Sequence, residues 1–205
     1  MVPSKKFDAK LLLPLLRKIY NKVNRSAMQA CLYPWKPAPH LQRIVDDLAK
    51  VKAYVVEETG KLLDPEFNPQ LRSNLETAIP VIWALGKMKN FAGGKFVVPY
   101  IHHGSEHVRF TALRALGEMG YHPAVPEIMK HGDAGVSKHP LGFYEWSSEE
   151  IVLMLKTLVK LGEADVESLE PYRGRFELAR YRITGFRREE QLEQIIKLEQ
   201  LLNIR

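Results

Sequence analysis

The chain has 205 residues, 45% of them apolar and 26% charged, with a formal net charge of +6 and one cysteine. That length can bury a core in one domain or two small ones, and a single cysteine excludes an internal disulfide framework. No stretch approaches the ~20 apolar residues that cross a bilayer, and "MVPSKKFDAKLLLPLL" (1–16) lacks the apolar core and cleavage site of a secretory signal.

These features lead us to expect a cytoplasmic protein with no membrane partner. The positive charge permits nucleic acid or an acidic protein as partner without choosing between them.

In chain order, residues 7–25 place Leu12, Leu16, Ile19 and Val23 at helical spacing. Pro14 is expected in or near the first turns, where its missing N–H costs little. A short helical block at 27–33 ends in "PWKPAPH" (34–40), whose prolines cannot continue it. Residues 41–63 read as one helix with Ile44, Leu48, Val51 and Val55 on one face, and "DPEFNP" (64–69) breaks it. No alternation long enough to found a sheet occurs, so the fold class is all-α.

From about Gln70 the chain repeats itself. "WALGKMK" (83–89), "RALGEMG" (114–120) and "KTLVKLG" (156–162) align Leu85, Leu116 and Leu158, and Met88, Met119 and Leu161. Each is followed by a similar opening: "FVVPYI" (96–101), "PAVPEI" (123–128) and "ADVESL" (164–169). The unit is a shorter helix entered near proline, a turn, then a longer helix with small residues such as Ala112 and Ala115 on its packing face. Gly120 can end that helix in a left-handed conformation.

Within this pattern, Val108, Arg109, Ala112, Ala115, Leu116, Gly117, Ala124, Val125 and Pro126 fill the positions of a HEAT repeat. "SEHVRFTALRALGEMGYHPAVPEI" (105–128) resembles the form named for phycobilisome lyases. The resemblance is strongest over this unit, fair over 70–98 and 147–169, and weak over 173–188; the first 65 residues fall outside it. It implies a right-handed α-solenoid of HEAT/armadillo-like repeats, in which each unit touches mainly its neighbours. The organisation expected is a helical N-terminal segment packing on the solenoid (1–65), the repeats (66–188) and a polar-faced capping helix (189–205). An insertion at 132–146 interrupts one repeat. After it, Ser147 and Glu150 form an S-x-x-E capping box, which starts a helix near Ser148.

Six of the seven histidines lie between 102 and 139. His103 and His107 would share a face of one continuous helix, as zinc ligands do, but Gly104-Ser105 interrupts them. Ser105 reads instead as an N-cap, with His107 in the first turn of the following helix. His102 and His103 close the preceding one, where partial positive charge suits the helix dipole. Neither a metal nor any other cofactor is expected. Glu106-His107 is reversed and unrepeated relative to the His-Glu pairs of deoxyhypusine hydroxylases, which are HEAT-like. Cys31 reads as a small buried side chain, "FAGG" (91–94) as a loop, Arg109 as a structural arginine and Trp83 as core. No catalytic residue is assigned, and the repeat type does not by itself confer lyase activity.

The functional leads are two. "YRGRFELARYRITGFRR" (172–188) interleaves Arg173, Arg175, Arg180, Arg182 and Arg187 with aromatics including Tyr181. This composition suits phosphates and bases, or an acidic protein. The insertion brings Tyr144 and Trp146 together in a loop, and such side chains anchor interfaces. The expectation is a non-enzymatic protein–protein scaffold using a concave face. The second reading is a nucleic-acid-binding protein, which would resemble the HEAT-like DNA glycosylases.

Overall fold

The computed structural model describes residues 9–28, 39–73, 77–137 and 148–162. Every regular element among them is helical, as the all-α expectation requires. None of these helices is long and apolar enough to cross a membrane. The described residues form two compact units, divided between Met119 and Gly120.

In the first unit, α1 (Ala9–Met28) buries Leu12, Leu13, Leu16 and Val23. Pro14 is its sixth residue, so the helix forgoes one backbone hydrogen bond without ending there. The expected helix over 41–63 is instead two, α2 (Pro39–Leu48) and α3 (Ala53–Lys61), separated by a turn in which Lys52 is extended (φ −73°, ψ 152°). Pro39 opens α2, a position that tolerates a missing N–H. No proline or glycine lies at the break. Both helices pack on the eleven-residue α5 (Ala78–Met88), and a straight helix over the whole segment would be roughly 34 Å long, about twice the length of α5. The buried face is accordingly Val45, Val56, Thr59 and Gly60 rather than the stripe through Ile44 and Val55. After α3, Asp64 accepts the Glu66 N–H and Asn68 donates to the Leu62 carbonyl, which shape the expected break into an ordered turn. The one-turn helix α4 (Gln70–Ser73) follows.

Helix α5 is the centre of this unit, and every one of its residues is buried. A helix apolar on all sides is stable only when surrounded, and α1, α2, α3 and α7 (Glu106–Met119) all pack on it. Trp83 is core, as expected, with Tyr20 of α1 edge-on at 5.8 Å. Each fully buried Leu or Ile here contributes about 1.5–3 kcal/mol.

Between α5 and α7 the chain returns through a 3-10 turn (Phe91–Gly93), α6 (Gly94–Val97) and a second 3-10 stretch (Val98–His102). The "FAGG" segment is therefore helical turn rather than loop. Asn90 causes this by accepting the Ala92 N–H at 3.0 Å. The α5 and α7 helices run in parallel, since the end of one meets the end of the other: Lys87 reaches Glu118, and a Cβ on Gly86 would lie 2.8 Å from Ala115 Cα. Glycine at 86 is what lets the two backbones approach.

The second unit contains a 3-10 turn (His122–Ala124), α8 (Val125–Ser137) and α9 (Ser148–Lys160). The start of α9 agrees with the capping-box expectation. The first residues of the expected insertion prolong α8 to Ser137.

The three aligned helix endings share one geometry. Leu85, Leu116 and Leu158 are all buried, as are Met88, Met119 and Leu161. At the aligned positions that follow, Lys89 (φ 49°) and Gly120 (φ 63°) come directly after α5 and α7, and Gly162 (φ 77°) comes two residues after α9; all three are left-handed. Glycine takes that conformation freely; Lys89 takes it at a cost of about 1 kcal/mol.

Candidate functional site

The residues assigned to partner binding, Tyr144, Trp146, Arg173, Arg175, Arg180, Tyr181, Arg182 and Arg187, lie outside the described residues. The histidine turn and two acid–base pairs lie within them.

The turn before α7 is built from the backbone outward. The Ser105 carbonyl accepts from the Val108 and Arg109 N–H groups, which places Ser105 at the helix start as expected. Arg109 is buried and donates from one guanidinium nitrogen to the carbonyls of His103 (2.9 Å) and Gly104 (3.1 Å). It closes its own turn, a structural role in agreement with the sequence reading.

His103 Nδ1 accepts the Ser105 N–H at 3.0 Å, and its Nε2 is buried with no hydrogen-bond partner. Burial lowers the His103 pKa below its ordinary 6.5, and the Arg109 charge acts in the same direction. The ring is therefore neutral near pH 7, with its proton on Nε2. The partial positive charge expected of His103 at a helix end is therefore disfavoured by its burial and by Arg109, against the smaller opposing effect of the Ser105 hydrogen bond. Its one lone pair is engaged by Ser105, so it has none to offer a metal, while His102 and His107 are exposed. Among the described residues, no three His, Cys, Asp or Glu side chains come together as a metal ion would need.

Tyr100 stacks on His103, with centroids 6.0 Å apart, and its hydroxyl donates to the Leu63 carbonyl at 2.7 Å. Burial, reinforced by nearby Asp64, raises the phenol pKa to about 12. It serves as a permanent donor that ties the repeat to the turn after α3.

Two polar pairs were not anticipated from the sequence. Lys87 Nζ meets Glu118 Oε1 at 2.7 Å between α5 and α7, with side chains 8% and 19% exposed. The signal was present: Lys87 and Glu118 each follow Ala-Leu-Gly, so they occupy equivalent positions in parallel neighbours and carry opposite charge. His131 Nε2 meets Glu150 Oε1 at 2.8 Å between α8 and α9, both side chains almost wholly buried. Here Glu150, read as half of a capping box, turns its carboxylate to a buried histidine. His131 falls three residues after buried Ile128 on α8, a core position that its polarity disguised.

These arrangements hold elements together. None aligns a nucleophile with a base around an open space. No family model, no curated protein and no solved structure matches the chain.

Proposed function

We propose that the chain is a non-enzymatic interaction scaffold: a right-handed solenoid of HEAT-like helix pairs, working in the cytoplasm, that holds a protein partner on its concave face. The Arg-rich segment 172–188 and the aromatic insertion residues Tyr144 and Trp146 supply contacts to that partner, which carries acidic groups. One observation carries this reading. The endings of α5, α7 and α9 recur with a buried leucine and, four residues later, a left-handed residue, as copies of one helical unit would. The use of Arg109, His103 and the two acid–base pairs in internal contacts supports it further.

Nucleic acid is the second reading, favoured by the arginine and aromatic composition of 172–188 alone. One titration separates them: labelled duplex and single-stranded DNA and RNA at low and physiological salt, with wild type and an R175E/R180E/R182E variant. The scaffold reading expects only weak binding that vanishes as salt rises. It also expects a partner purified by affinity capture to rebind in reconstitution and lose affinity for the variant. Micromolar nucleic-acid binding that survives physiological salt and disappears in the variant would overturn it in favour of the second reading.

A further inference from the structure

The first unit carries an exposed aromatic and basic patch that the proposed function does not use. Two short segments build it: Lys52-Ala53-Tyr54 at the start of α3, and Lys89-Asn90-Phe91 just after α5. Their juxtaposition follows from contacts further along. A Cβ on Gly93 would lie 3.3 Å from Val56. Glu57 pairs with Lys95 at 3.0 Å, and Gly60 faces the Phe96 ring with no room for a Cβ. The α3 helix and the 91–97 stretch therefore run side by side in one direction, which brings 52–54 level with 89–91.

Tyr54 is 57% exposed and Phe91 52%. Both are presented by ordered backbone, Phe91 by a turn that the Asn90 side chain fixes. Lys52 and Lys89 are exposed and form no ion pair among the described residues. The acids beside them are matched, Glu57 with Lys95 and Glu58 with Lys61. Rings already held in place lose little freedom on binding, and unpaired cations set the sign of what they attract.

We infer that this patch docks a short acidic peptide segment of a partner protein. An apolar side chain of the peptide covers Tyr54 and Phe91, and flanking carboxylates reach Lys52 and Lys89. A nucleic-acid strand fits less well, because it needs a continuous basic track along its backbone. Here two lysines, Lys52 and Lys89, flank the rings.

The test is selection of a random peptide library displayed on phage against the full chain, followed by titration of enriched peptides and of oligouridine by fluorescence anisotropy. The expected peptides are net negative with an aromatic or aliphatic residue. Their affinity should fall by about tenfold or more in Y54A/F91A, fall similarly at low salt in K52E/K89E, and hold in Y54F. All four positions are solvent-facing, and unchanged thermal melts would show that the variants fold. The R175E/R180E/R182E variant should bind these peptides as wild type does, which separates this surface from the one in the proposed function. The inference is overturned if no peptide is enriched, if enriched peptides are neutral or basic, or if they bind Y54A/F91A as tightly as wild type. Oligouridine binding tighter than any peptide and lost in Y54A/F91A would also overturn it, in favour of RNA.

Discussion

The seam between α5 and α7 and the seam between α8 and α9 each hold an acid–base pair, but they hold it differently. At the first, the backbones are drawn together at Gly86 and Ala115, and the Lys87–Glu118 pair lies toward the helix ends, where Glu118 retains 19% exposure. At the second, His131 and Glu150 are 1% and 0% exposed, and Ile128 of α8 and Leu153, Met154 and Leu158 of α9 are buried as well. The Glu118 side chain keeps some access to solvent, although its Oε2 is buried without a hydrogen bond, and the His131–Glu150 pair keeps none. The first seam therefore depends mainly on close backbone packing, and the second depends on its polar pair being complete.

The largest effect expected from that difference lies at the second seam. Glu150→Ala leaves a buried histidine without its carboxylate and should cost about 3–5 kcal/mol, read as a drop in the midpoint of urea unfolding. Glu150→Gln sharpens the comparison, because its amide oxygen can still accept from His131 Nε2. A small loss would identify a neutral hydrogen bond, and a loss near that of alanine would identify an ion pair.

At the first seam Lys87→Met should cost less, about 2–3 kcal/mol, between the values for exposed and fully buried pairs. Lys87→Met combined with Glu118→Leu should recover most of that loss, since an apolar pair at such a site substitutes well for an ionic one. A double variant less stable than the single would show that the charges hold the helices in register. Gly86→Ala tests the backbone side of the comparison. Its methyl would meet Ala115 backbone at 2.8 Å, so the helices must part, at about 1–3 kcal/mol by calorimetry. Gly104→Ala is the control, since nothing lies within 4 Å of its added Cβ, and it should be neutral within about 1 kcal/mol.

The two seams also differ in how far they could be read from the sequence. Repetition made the apolar part of the first legible, since Leu85 and Leu116 align when one unit is laid over the next; the opposite charges at 87 and 118 carried a signal in the same register that was not read. Helix type and the left-handed residue at Gly120 were legible for the same reason. The split of 41–63 into α2 and α3 was not, because no proline or glycine marks it. The His131–Glu150 pair was hidden because two polar residues nineteen positions apart mark no periodic face, and because Glu150 satisfied a local capping rule that offered a complete explanation. Arg109 was read correctly as structural, and the carbonyls it meets belong to its own turn.

The smallest effect expected is a pH dependence at the turn that introduces α7. His103 has a lowered folded pKa, so below its ordinary 6.5 the unfolded chain binds more protons than the folded one. Its contribution to stability is complete above that pH and is lost as the pH falls toward the lowered value. Tyr100 has the opposite displacement for an acid that must stay protonated. Its folded pKa of about 12 against 10 means that its contribution is complete below pH 10 and is lost as the pH rises toward 12. Tyr100→Phe removes the hydrogen bond to Leu63 and should cost about 1 kcal/mol at neutral pH. The variant should also flatten the alkaline limb of stability against pH while leaving the acidic limb in place; His103→Gln should do the reverse. Denaturant midpoints taken from pH 5 to pH 11 would show both limbs. An alkaline limb unchanged in Tyr100→Phe would mean that Tyr100 does not couple this turn to the segment after α3.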